Sequence, residues 1–281
     1  MVHGHLGAGA MGVVYLAEDV ELDRKVAIKL LHDGVDDEGR RLRLVREAQA
    51  MAKVTHPNVA AIHAVGTVGD QVYFVMEYIA GRTLREWLAA RRRTWREILS
   101  VFVDVGRGLA AIHGAGLIHR DLKPENVMIG EDGRARVMDF GLARTEEQSS
   151  VVTSSGIVVG TPAYMAPEQL YCQPVSVASD QYSFCVALHE ALYGRRPLGA
   201  SALEHGEPLL DAVLARGLSA EPRQRFTSML ELLFALELAE REARLRPSES
   251  QTRGLVGLAM SLGRTAVLWA RFGLEELTQE E

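Results

Sequence analysis

The stretch His119-Arg120-Asp121-Leu122-Lys123-Pro124-Glu125-Asn126, followed downstream by Asp139-Phe140-Gly141, decides the reading of this chain. It brings a carboxylate that can accept a proton, Asp121, near two oxygen donors, Asn126 and Asp139. Phosphoryl transfer from ATP requires such a set: a group that orients the attacking hydroxyl, and ligands for the cation that bridges the phosphates. Mg²⁺, with Mn²⁺ as the alternative, takes a few protein oxygens and leaves the rest of its octahedron to water and phosphate. Asn126 and Asp139 are its expected ligands. Asp121 is the expected base, and it need only orient the hydroxyl, because a loose transition state demands little base strength. Lys123 is placed to neutralise the transferred γ-phosphate.

Upstream of this stretch the pattern is strand-like. Val13–Ala17 and Lys25–Leu30 are short and rich in branched residues, and further strands are expected near 60–66 and 72–78. The string Gly7-Ala8-Gly9-Ala10-Met11-Gly12 lies between strand-like segments. Its glycines let the backbone approach phosphate oxygens with N–H groups in front. Lys29, in Val26-Ala27-Ile28-Lys29, is placed to reach the α- and β-phosphates as a point charge. A lysine buried there needs a carboxylate partner. Glu47 is the candidate, inside a helix expected over 38–54 and stopped by His56-Pro57-Asn58. Beyond Thr83 the pattern is mainly helical, over 83–92, 94–115, 179–193 and 226–246, with a hairpin around Glu131-Asp132-Gly133.

Composition sets outer limits. The 281 residues suffice for one large domain or two lobes, and 47% hydrophobic with 24% charged residues is ordinary for a globular protein. A net charge of −6 gives no surplus for a nucleic acid backbone. The two cysteines suit a reducing compartment, and the start has no signal-peptide pattern, so a cytoplasmic location is expected.

These motifs together resemble the eukaryotic-like serine/threonine protein kinases, particularly bacterial ones. The resemblance runs over roughly residues 6–240: Gly7 to Val14, Lys29, Glu47, His119 to Asn126, Asp139-Phe140-Gly141 and Ala166-Pro167-Glu168, in kinase order. It implies a bilobal α+β fold, with a mainly β small lobe over 1–79 carrying one key helix, and a mainly α large lobe over 80–246. ATP and protein substrates bearing Ser or Thr are the implied partners. Nucleotide contacts are implied from Leu6, Gly7, Ala8, Gly9, Ala10, Met11, Gly12 and Val14. Ala27 and Met128 would complete the sandwich around adenine, with Met76 as gatekeeper and the Glu77 and Ile79 backbones at the adenine edge. Met51, Ile62, Phe140 and His119 would stack as a regulatory spine, with His119 structural. Asp180 would bond the catalytic-loop backbone, and Glu168 and Arg225 would form a buried ion pair. Arg120 would pair with a phosphorylated activation loop, with Thr153 and Ser155 the candidate autophosphorylation sites. Thr161 would be a structural hydroxyl near Asp121 and Lys123. A nucleotide-binding pseudokinase scaffold is the main alternative, and a small-molecule phosphotransferase the third.

Three features depart from the pattern. The first strand has only a short run before Leu6. The interval between Asp180 and Arg225 is short, with a polar stretch from Gly199 to Pro208 where a substrate-docking helix would sit. The tail from 247 to 281 lies outside the pattern. Its partial stripe Leu255, Leu258, Leu262, Ala266, Trp269 and Phe272 suggests docking on the large lobe, self-association into a homodimer, or interfacial membrane binding. Arg264 and Arg271 argue against a membrane span there.

Overall fold

The structure, a computed structural model, describes residues 1–9, 12–32, 45–46, 48–69, 71–140, 162–197 and 208–245. The chain divides into two units, Met1–Glu237 and Leu238–Glu281, and of the second only the end of one helix is described. The expectations for Ala10, Met11, Glu47, Thr153, Ser155, Thr161 and the tail 247–281 fall outside the described residues.

The fold is α+β: a five-stranded sheet comes first, then a mainly helical part that carries a second, three-stranded sheet. Strands β1 (Val2–Gly9), β2 (Gly12–Asp19), β3 (Arg24–Leu31), β4 (Ile62–Val68) and β5 (Gln71–Glu77) form one antiparallel sheet in the order β1-β2-β3-β5-β4. The short run before Leu6 is no obstacle to a strand: β1 starts at Val2 and pairs along β2 from Val2↔Ala17 to Gly9↔Gly12. A Cβ on Gly12 would lie 2.2 Å from the Leu30 carbonyl oxygen, so only glycine lets β2 enter against β3. Directly opposed residues share a face. The pairs Val14↔Lys29, Lys29↔Phe74 and Ala27↔Met76 therefore put Val14, Ala27, Lys29, Phe74 and Met76 on one side of the sheet.

A second sheet follows, β6 (Gly81–Thr83), β7 (Val127–Gly130) and β8 (Ala135–Val137), in that order. The helix expected from Thr83 is shorter, α1 (Leu84–Ala90), because Thr83 ends β6 and caps α1. Helix α2 (Trp95–Gly114) begins the same way at Thr94. In both, the threonine hydroxyl accepts from the N–H of a glutamate three residues on, and that glutamate accepts from the threonine N–H. Helices α3 (Pro167–Leu170), α4 (Val177–Tyr193), α5 (Pro208–Gly217) and α6 (Met229–Leu245) follow, with 3-10 turns at Pro124–Asn126, Pro162–Tyr164 and Pro222–Gln224. Residues 45–46 and 48–51 are helical within the helix expected over 38–54. No described helix is long and apolar enough to cross a membrane.

The core of the first unit runs from Phe74 and Met76 in the sheet through Phe140 to Leu99, Phe102 and Leu109 of α2 and Phe184 and Leu188 of α4. Phe102 and Phe184 meet edge to face with ring centroids 5.4 Å apart. That packing fixes α2 against α4 and so positions the loops between them.

Candidate active site

The loop carrying Asp121 leaves α2 and returns to the chain through β7. Asp180, in the first turn of α4 and buried, sets its path. Its carboxylate accepts from the His119 N–H, the Arg120 N–H and His113 Nε2, each at 2.8 Å. Arg120 takes a left-handed conformation, φ +70°, that a bulky residue seldom adopts. The Asp180 bond on its N–H and a Gln169 Nε2 bond of 2.8 Å on its carbonyl hold it there.

His119 is fully buried, and burial lowers its pKa against the pull of Asp180, Asp121 and Asp139. The ring is therefore neutral. Its Nε2 faces the Met138 carbonyl at 3.0 Å, so Nε2 carries the proton and Nδ1 accepts the Asp121 N–H at 3.3 Å. A nitrogen committed to a carbonyl cannot act as a base. One neutral ring thus ties the residue before Asp139 to the backbone of Asp121.

On Asp121, Oδ2 accepts from Lys123 Nζ at 2.8 Å and Asn126 Nδ2 at 3.1 Å. Oδ1 bonds no other described residue. The Asn126 amide also donates to the Asp121 carbonyl at 2.7 Å, which commits its nitrogen to the loop and leaves its Oδ1 for another partner. The Met138 N–H bonds the Asn126 carbonyl at 2.9 Å, and Val127 faces Val137 across β7 and β8. The hairpin therefore delivers Asn126 and Asp139 side by side. Asp139 is itself left-handed, φ +56°.

Lys29 closes the arrangement from the opposite side. It is buried beneath the sheet, and its Nζ lies 2.8 Å from Asp139 Oδ1. Two charges withdrawn from water are stable only if paired at close range. Around them, Ala27, Met76 and Ile79 are buried, and Val14, Glu77 and Met128 are partly so. Leu6 is exposed. A Cβ on Gly7 or Gly9 would meet nothing within 4 Å, so the β1 backbone is open to an approaching ligand. The Glu77 N–H is spent on the Ala61 carbonyl at 2.8 Å, so of its polar backbone groups only the carbonyl can face a ligand. Neither polar backbone group of Ile79 bonds another described residue. Behind Met76, a small apolar cavity is lined by Ala60, Ile62, Met76, Met138, Asp139 and Phe140. Met51, Phe140 and His119 are buried, with Ile62 partly buried at that cavity.

Farther out, Glu168 and Arg225 form a two-pronged pair at 2.7 and 2.9 Å, and Ser179 Oγ donates to the same Glu168 at 2.7 Å. The remaining guanidinium donors reach the carbonyls of Ala178, Ser219 and Ala220. Sequence reasoning missed His113, Gln169 and Asn58, whose Nδ2 holds the Ala135 carbonyl at 2.9 Å. Each acts by bonding a partner remote in sequence, which leaves no spacing to read. It missed Arg85 as well.

Comparison with known proteins agrees with this geometry. The family model of the protein kinase domain matches residues 1–248. The chain is 39% identical over 260 residues to the serine/threonine-protein kinase pkn2 of Myxococcus xanthus, covering 87% of this chain and 30% of that protein. It is 39% identical over 219 residues to serine/threonine-protein kinase PknL of Mycobacterium tuberculosis, covering 77% and 55% respectively. For serine/threonine-protein kinase PrkC of Bacillus subtilis the identity is 39% over 201 residues, covering 70% and 31%. The chain thus spans between about a third and about half of these curated relatives.

Proposed function

As this chain belongs to the protein kinase family, we propose that it transfers the γ-phosphoryl group of ATP to serine and threonine hydroxyls of proteins. The observation that carries the reading is the approach of Lys29 to Asp139 at 2.8 Å, beside the loop that holds Asp121 and Asn126. A cation from the sheet and oxygen donors from the hairpin then share one triphosphate.

The acceptor hydroxyl approaches Asp121 Oδ1, the oxygen that Lys123 and Asn126 leave for it. Its oxygen attacks the γ-phosphorus as the bond to the β,γ-bridging oxygen breaks. The bonding pair departs with ADP, and the hydroxyl proton passes towards Asp121. Lys123, bonded to Asp121, supplies positive charge beside the transferred group. Lys29 holds the α- and β-phosphates. A divalent cation, when bound, offsets phosphate charge; Asn126 Oδ1 and the Asp139 carboxylate are hard oxygen donors of the kind Mg²⁺ takes, and would hold it. The open backbone at Gly7 and Gly9 lies over the phosphates, and Ile79 and the Glu77 carbonyl meet the adenine edge.

Transfer of labelled phosphate from Mg·ATP to Ser/Thr peptides tests the reading. Asp121→Asn and Lys29→Met should each lower the rate by about a hundred-fold or more. Unchanged transfer in either variant would overturn these roles. Autophosphorylation at Thr153 or Ser155 belongs to the same proposal and rests on the sequence. Phosphate absent from that peptide by mass spectrometry, after incubation with Mg·ATP, would remove it. A cytoplasmic location is likewise proposed from the cysteine content alone.

A further inference from the structure

Arg85 bonds none of the residues assigned to the phosphates, yet it binds three segments around the catalytic loop. It lies in the first turn of α1, with its side chain 41% exposed. Its Nε donates to Glu125 Oε1 at 2.9 Å, its Nη2 donates to the Tyr164 hydroxyl, and its Nη1 lies 3.4 Å from Glu190 Oε1. The Tyr164 hydroxyl in turn donates to Glu190. Burial, helped by the Glu190 carboxylate, pushes the Tyr164 hydroxyl up to about 12, so it stays a donor. The Tyr164 carbonyl is held by Ser183 Oγ at 2.8 Å, which fixes the phenol in place.

The position of this cluster matters. Glu125 is the neighbour of Asn126, whose amide touches Asp121. Tyr164 closes the turn that leads into Ala166-Pro167-Glu168. The Glu125 carboxylate is 46% exposed and that of Glu190 20%, so both open to solvent, with Glu125 one residue from the Asn126 amide that holds Asp121. Two carboxylates and a phenol are a good receptor for a guanidinium, which matches them with a planar fork of donors. The receptor already holds one from its own chain. The Arg196 guanidinium, 5.9 Å from the Tyr164 ring centroid, offsets the one negative charge left over.

We propose that Arg85 is a specificity-determining residue: it takes the place of a substrate arginine or lysine at the Glu125–Glu190 pair, and so makes the enzyme indifferent to basic residues flanking the acceptor. The inference rests on the protein kinase reading above. A mere strut between α1 and the catalytic loop would act differently, because its removal would slow every substrate by the same factor.

The test compares kcat/KM for peptides sharing one acceptor serine, with Arg, Ala or Glu scanned through the flanking positions. Wild type should treat the Arg and Ala peptides alike. Arg85→Ala should favour Arg over Ala by about five-fold at one flanking position, the scale of a half-exposed ion pair. Glu125→Gln, which leaves the guanidinium short of a carboxylate, should shift preference the opposite way, towards Glu. Ratios unmoved in both variants, or a wild type that already selects Arg, would overturn the proposal. If active wild type shows unmoved ratios, this inference alone fails. If wild type labels no peptide, the kinase reading fails and this falls with it.

Discussion

Asp180 gathers donors from two places in the chain, the catalytic-loop backbone and His113 of α2, onto one buried carboxylate. The left-handed Arg120 costs on the order of 1–3 kcal/mol, and these bonds sustain it. Asp180→Asn puts an amide NH₂ where a donor already points. We expect urea unfolding to show a loss on the order of 2 kcal/mol, with phosphate transfer falling while nucleotide affinity, followed by a fluorescent analogue, changes little. An equal loss of nucleotide affinity would mean that Asp180 supports the whole cleft. At this scale the sequence was most readable where a side chain has to meet phosphate or metal. Asp121, Asn126, Asp139 and Lys29 stand out because chemistry restricts their identity. Gln169, His113 and Arg85 do not, because many residues can supply one donor to a partner remote in sequence.

Elements were readable where periodicity had room to show. Helices α2 and α4 and strands β2, β3 and β5 announce themselves by pattern, and Thr83 and Thr94 each precede a glutamate by three residues, marking two helix starts. Strand β6 is too short for any period, and of its three residues only Thr83 falls within the helix expected over 83–92. Helix α5 follows the polar stretch 199–208 and was not foreseen; its Leu210 and Leu214 are buried, and Asp211 accepts the Tyr193 hydroxyl at 2.5 Å. The close pairing of β6 with β7 has a consequence at Gly81. A Cβ there would lie 2.1 Å from the Ile129 carbonyl oxygen. Gly81→Ala should therefore cost on the order of 1–3 kcal/mol in thermal or urea unfolding. A variant as stable as wild type would show that the strands can part without penalty.

For the molecule as a whole, Glu168 and Arg225 join α3 to the approach of α6 inside the core. Burial alone would raise the Glu168 carboxyl, but the bonds from Arg225 and Ser179 outweigh it and hold the pKa below the ordinary glutamate value. A carboxyl with a depressed folded value adds stability above its unfolded pKa and loses it as the pH falls through the folded one. Glu168→Gln should be less stable than wild type at pH 7 by on the order of 3 kcal/mol. The gap between them should narrow below about pH 4, as protonation removes the charge from wild type too. A gap constant from pH 7 to pH 3 would assign the effect to packing. The α+β plan was legible from the order of strand-like and helical stretches, whereas the pairing of these two residues came from the resemblance to the kinase family; the placement of Glu47 lies outside the described residues.

The contact between Lys29 and Asp139 carries a last implication for how ligands are chosen. Neither member can be taken singly without stranding the other as an isolated charge in a poorly hydrated place. A lone divalent ion would satisfy the carboxylate and orphan the ammonium, whereas uncomplexed triphosphate would do the reverse. On the proposed function, a guest arriving with both signs would compensate both, so the cleft would take the cation–triphosphate complex in preference to either part alone.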